Sequence, residues 1–136
     1  MTSTWASAAT LDRDECTRLL TSARVWRVGM CTPDGPVVLP VNYLYLDGAI
    51  LFRTQLDSAL AAGTQEGTVA FEVDELDDRL QSGWSVLVVG RAEHLQGQEM
   101  RDVFGRLDEP WAPGSRPLLA RIECSTVTGR RFERQG

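Results

Sequence analysis

Not one lysine occurs in the 136 residues, and all 14 basic side chains are arginine. That absence removes Schiff-base chemistry, a Walker-type phosphate lysine and a lysine general base. Histidine is almost as scarce: His94 is the only imidazole. One histidine is too few for a histidine-built metal site, and as the base of a hydrolase triad it stands beside Glu93 in a strand-like run, where it reads as a structural or surface residue. Cys16, Cys31 and Cys124 are scattered, odd in number and form no C-x-x-C pair. They read as small buried hydrophobes, with no metal and no disulfide implied. No G-x-G-x-x-G follows a strand and opens a helix, so a dinucleotide fold has no support. No stretch approaches the roughly 18 to 20 apolar residues of a membrane-spanning helix, and the start from Met1 to Ala9 has neither a basic head nor a long apolar run. The expectation is a cytoplasmic protein without a membrane partner. A net charge of −5 with dispersed arginines leaves no electrostatic footprint for nucleic acid.

What is present suits one globular domain, residues 1–136, with 43% hydrophobic and 24% charged residues. Asp12 followed by Glu15 resembles a capping box, and Cys16, Leu19, Leu20 and Ala23 recur at helical spacing, which predicts a helix from Asp12 to Ala23. Val25 to Thr32 reads as a strand closed by Pro33-Asp34-Gly35. A second strand is predicted from Val37 to Leu46, and Asp47-Gly48 turns it into a third, Ala49 to Thr54. Leu56 to Gln65 reads as a short helix, Thr68 to Val73 as a strand, and Asp74 to Asp78 as a solvated acidic loop. A long strand through Val86 to Leu95, a helix from Gly97 to Leu107, a Pro/Gly/Trp loop and a last strand from Leu118 to Thr128 complete the chain. Strands interrupted by short helices favour an antiparallel barrel over a doubly wound parallel sheet.

The predicted second strand is apolar on both faces, with Val37, Leu39, Val41, Tyr43 and Tyr45 on one and Val38, Pro40, Leu44 and Leu46 on the other. The second face needs a helix, a partner subunit or a bound ring system to cover it. Within it lies a polar cluster. In a hairpin turning at Asp47-Gly48, Asn42 falls opposite Arg53, next to Thr54. An amide that donates and accepts, beside a guanidinium fork, suits a phosphate-bearing ligand. The alternative is that Asn42 satisfies a turn or barrel end and Arg53 pairs with a surface acid. Trp84 and Trp111, taken singly, read as core.

Five stretches in order match a known pattern: Leu-Pro-Val-Asn-Tyr at 39 to 43, Phe-Arg-Thr at 52 to 54, Val-Ala-Phe-Glu-Val-Asp at 69 to 74, Gly-Trp-Ser-Val-Leu-Val at 83 to 88, and Thr-Gly-Arg-Arg at 128 to 131. Over about residues 11–132 the chain resembles the pyridoxamine 5′-phosphate oxidase-like family of FMN-binding split β-barrels, in particular its small actinobacterial-type members. The resemblance implies a mainly β fold, a six-stranded antiparallel split barrel with short flanking helices, paired into a homodimer with FMN at the interface. Carried over by position, Pro40, Val41, Asn42 and Tyr43 flank the isoalloxazine, Arg53, Thr54, Ser58 and Leu60 surround the phosphate, and Trp84 and Ser85 approach from the other subunit.

The resemblance further implies an FMN-dependent oxidoreductase acting on a small-molecule substrate or electron acceptor, with the cofactor carrying the chemistry. No catalytic side chain is assigned. Two alternatives stand beside it: a deazaflavin-dependent reductase on the same barrel, and a non-catalytic dimer binding a flavin, another ligand or no cofactor. The last is motivated by a departure from the family pattern. Where relatives carry Gly-Ser-Lys-Leu after Arg-Thr, this chain has Asp57-Ser58-Ala59-Leu60, two charge units less favourable to a phosphate. Each unit at roughly 6 to 8 Å is worth on the order of 2 kcal/mol at an effective dielectric of about 20. Capping of the helix by Asp57, or an arginine such as Arg116 or Arg130, are the compensations the sequence offers.

Overall fold

A computed structural model describes residues 5–22, 25–55, 58–64, 66–105 and 117–134. Nine strands and three helices lie among them: β1 (Trp5–Thr10), α1 (Arg13–Ser22), β2 (Val25–Thr32), β3 (Gly35–Pro40), β4 (Tyr43–Leu46), β5 (Ala49–Gln55), α2 (Ala59–Thr64), β6 (Glu66–Asp77), β7 (Ser82–His94), α3 (Gly97–Phe104), β8 (Pro117–Glu123) and β9 (Thr126–Arg134). All pairings are antiparallel. The order runs β3-β2-β6-β7-β8-β5-β4, with β9 on the other part of β7 and β1 outside β9. The fold is a split barrel, as the resemblance implied, with more strands than the six expected.

The two ends of that order, β3 and β4, are consecutive in the chain. The predicted second strand is therefore two strands, because the chain leaves β2 after Pro40 and joins β5 at Tyr43, with Val41 and Asn42 spanning the seam. This division also resolves the two apolar faces. Inward, Val37, Leu39, Tyr43 and Tyr45 pack on the main core of Val28, Phe52, Phe71, Val73, Val86 and Val88. Outward, Leu44 and Leu46 are covered by α3 through a second cluster that includes Leu51, Leu119, Val103 and Phe104. Val38, 65% exposed, is left open by this chain.

Strand β7 organises the split. Its Ser82–Val89 half pairs with β9 and its Ala92–His94 end with β8, while β6 lines its other edge throughout. The predicted single C-terminal strand thus divides at Cys124–Ser125 into β8 and β9. At the fork a Cβ on Gly90 would stand 1.6 Å from the Glu123 carbonyl oxygen, so only glycine lets β8 cross. The predicted acidic loop is largely strand, since β6 runs to Asp77. The turn follows it, with the Arg79 and Leu80 amides donating to Asp77 Oδ1 at 3.0 and 3.1 Å.

Helix α1 begins as its sequence indicates: the Glu15 amide donates to Asp12 Oδ1 at 2.8 Å. Its Cys16, Leu19 and Leu20 are buried in the main core. Of the cysteines, Cys16 is buried and Cys124 half-buried, but Cys31 is exposed, contrary to the expectation for it. The Asp47-Gly48 turn has positive φ at both residues, 51° and 80°, the type I′ geometry that matches strand twist. Among the described residues, no helix is long and apolar enough to cross a membrane.

Candidate functional site

The β4–β5 hairpin holds the register that its turn dictates, ending at Tyr43↔Phe52. Asn42 is the next residue outward, past the last ladder pair, and its side chain is exposed; one further step of the register would set it opposite Arg53. Arg53, half-buried, shares the outward face with Leu51 and pairs across to Leu119.

Tyr43 does something different. Its ring lies edge-on to Trp26 and to Phe71, with centroids 5.4 and 4.7 Å away. Its hydroxyl donates to the Leu20 carbonyl. Burial pushes the phenol up to about 12, so it stays protonated. Of the four seam residues, Pro40 and Asn42 face out and are exposed, whereas Val41 is buried and Tyr43 belongs to the core. A ring system lying outside the barrel would meet Pro40 and Asn42 directly.

Beyond Arg53 the hydroxyls form a short chain. Ser58 Oγ donates to the Gln55 carbonyl at 2.7 Å and accepts from the Ala61 amide at 3.0 Å. Its single proton being used, the 2.7 Å contact with Thr54 Oγ1 is donated by Thr54. Leu60 points into the core. A phosphate at this end of the hairpin would draw on the Arg53 fork, whereas Thr54, the next residue of β5, faces the other way with its hydroxyl on Ser58, which keeps the bonds that cap α2. Ala59 is exposed and adds no charge; Asp57, Trp111 and Arg116 lie outside the described residues.

Trp84 and Ser85 are not brought to this hairpin within one chain; they stand on β7 between β6 and β9. Trp84 is 8% exposed and lines a cavity of about 150 Å³ with Glu75, Asp77, Ser82, Arg131 and Glu133. Arg130 is opposite Ser85, not beside Arg53. His94 is half-buried, its Nε2 3.1 Å from Thr64 Oγ1. Burial lowers its pKa, with a backbone hydrogen bond to Ala61 opposing.

One cluster was missed by sequence reasoning. On the outward face, Arg27 Nη1 donates to Glu72 Oε1 at 2.6 Å and Asp74 Oδ2 at 2.8 Å. Arg27 is also the partner of Pro40 in the β2–β3 ladder. Burial, with the Asp74 hydrogen bond and charge adding to it, pushes the Glu72 carboxyl up to about 7 against the pull of Arg27. The signal was the alternation of Glu72 and Asp74, which places both on one face once Asp74 is recognised as strand.

Residues 12–131 match the family described as Pyridoxamine 5′-phosphate oxidase. An uncharacterized protein of Mycobacterium tuberculosis is 36% identical over 127 residues, covering 90% of this chain and 84% of that protein. A crystal structure described as a putative pyridoxamine 5′-phosphate oxidase from Corynebacterium glutamicum has 29% identity and a TM-score of 0.78, covering 95% of this chain and 96% of the other. A FAD-binding protein from Mesorhizobium loti has 27% identity and a TM-score of 0.74, covering 93% and 98%.

Proposed function

The chain belongs to the pyridoxamine 5′-phosphate oxidase family, and from that premise we propose that it is a homodimeric flavoprotein oxidoreductase that binds FMN at the seam between β3 and β4. The observation that carries the reading is the Tyr43↔Phe52 register: continued by one residue it would bring exposed Asn42 opposite Arg53, at the end of β5 that leads to the hydroxyl pair Thr54–Ser58. Ring-facing amide and phosphate-facing guanidinium then stand at one end of one hairpin. The uncovered outward strip of Val38 and Pro40 provides the apolar surface against which a ring or a second copy would pack. Trp84 and Ser85 would reach the ligand from that second copy.

The bound flavin supplies hydride or electron transfer. The chain's part is orientation. Asn42 offers a donor and an acceptor to the ring edge, Arg53 neutralises phosphate, and Pro40 excludes water from one ring face. Tyr43, held protonated and engaged with Leu20, acts by fixing the seam and not by moving a proton.

A second reading, FAD in place of FMN, is favoured by the likeness to the Mesorhizobium loti FAD-binding protein. The absorbance spectrum of purified protein, with the mass of the released ligand and titration with FMN and FAD, separates the two. A yellow dimer releasing FMN is the expected result. Colourless protein that quenches neither flavin's fluorescence overturns the reading. Arg53→Ala should weaken FMN about tenfold or more, the scale of a lost charge-assisted hydrogen bond, and leave riboflavin, which has no phosphate, nearly unaffected.

A further inference from the structure

Helix α2, Ala59–Thr64, is six residues long, too short to hold itself by backbone hydrogen bonds alone. Its position is set by what it touches. Leu60 and Ala61 are buried, and the Ser58 hydroxyl ties the entry to Thr54 and Gln55. The exit is tied differently. Thr64 is the fully buried polar residue of the described core, and its hydroxyl donates to the Leu60 carbonyl at 2.7 Å. That bond already satisfies Thr64 within its own helix. The 3.1 Å contact with His94 Nε2 is therefore additional, and the oxygen is its acceptor, which requires the proton on Nε2.

His94 is the last residue of β7, where it pairs with Ala120 of β8 just past the fork at Gly90. We propose that His94 is a positioning residue for the ligand: by holding the Thr64 hydroxyl, it fixes α2 on the barrel and so holds Ser58, at the entry of that helix beside Thr54, in place for the phosphate end of the ligand. The proposal rests on the flavin reading above. His94 also has a backbone hydrogen bond with Ala61, so both of its polar contacts are with residues of α2.

The test compares full-length wild type with His94→Phe, Thr64→Val and His94→Gln, titrated separately with FMN and riboflavin, and followed by hydrogen exchange of the α2 amides. Loss of the bond in the Phe and Val variants should weaken FMN about five- to tenfold while riboflavin changes by less than about twofold. The Gln variant, whose amide N–H replaces the Nε2 donor, should return FMN affinity to within about twofold of wild type. The α2 amides should exchange faster in the Phe and Val variants and not in the Gln variant. Unchanged FMN affinity, equal losses for FMN and riboflavin, or unchanged α2 exchange would each overturn the role. Wild type that binds neither flavin would instead overturn the flavin reading, while exchange still decides whether His94 anchors the helix.

Discussion

The Tyr43 hydroxyl donates to the Leu20 carbonyl, joining the first residue of β4 to the last turn of α1. The last carbonyls of a helix have no partner within it, so this bond satisfies one of them and locks the seam beneath the helix. Tyr43→Phe keeps the edge-on contacts with Trp26 and Phe71 and removes only the donor. The expected cost is about 1 to 2 kcal/mol, a fall in Tm of about 3 to 6 °C for a domain of this size, with flavin affinity unchanged. A large loss of affinity with little loss of Tm would show that Tyr43 serves the ligand directly.

The fork in β7 gives a second prediction. Gly90→Ala drives a methyl group into the Glu123 carbonyl, whose backbone oxygen and carbon are the two nearest atoms, so the clash is not one a flexible side chain can relieve. Destabilisation of about 3 kcal/mol or more is expected. Gly105→Ala is the matched control, because its Cβ would meet no atom closer than 3.5 Å and its φ of −64° is helical; there the change in Tm should be small. Chemical denaturation of the two variants measures the difference.

These residues also show where the sequence could be read and where it could not. The hairpin about Asp47-Gly48 was legible because two local rules, turn chemistry and strand alternation, fix its register. The end of β2 and the cap at Asp12 were legible for the same reason. The break at Val41–Asn42 was not: apolar alternation continues through it, and only the change of neighbour from β2 to β5, a long-range fact, divides the strand. The division of β8 from β9 was hidden in the same way, since Gly90, the residue that permits it, lies some thirty positions earlier in the chain. Asn42, Arg53 and Thr54 were found because they interrupt apolar strands, and Ser58 only through the family resemblance. Arg27 and Glu72 were not, because a charge on the outward face of a strand resembles ordinary surface.

The Arg27–Glu72–Asp74 cluster predicts a pH dependence. The Glu72 carboxyl is raised from 4.5 to about 7 in the folded chain, so the folded state holds more protons than the unfolded one between those values. Stability from Glu72 is therefore full below pH about 4.5 and is lost as pH rises through about 7. Glu72→Gln imitates the protonated carboxyl at every pH. Its Tm should match wild type below pH about 4.5, begin to exceed it near pH 5 and exceed it most at pH 8, by about 3 °C for each 1 kcal/mol recovered. A difference that stays constant from pH 5 to pH 8 would show that Glu72 does not titrate in that window.

The charge missing from α2 can be restored. Ala59 is exposed and next to Ser58, in the first turn of the helix. A lysine there adds one positive charge near the proposed phosphate position. Attraction on the order of 2 kcal/mol at an effective dielectric of about 20, reduced by salt, should tighten FMN about tenfold. Riboflavin should show no gain, and the FMN gain should shrink as salt rises from about 0.01 to 1 M, because the Debye length falls from about 30 to 3 Å over that range. The cost to the fold is a few tenths of a kcal/mol, since a cation opposes the dipole at a helix start. Fluorescence titrations of Ala59→Lys with both flavins at two salt concentrations check the three statements about affinity, and chemical denaturation checks the cost to the fold. A gain shared by FMN and riboflavin would mean that position 59 acts on the ring or the fold, and would move the phosphate away from α2.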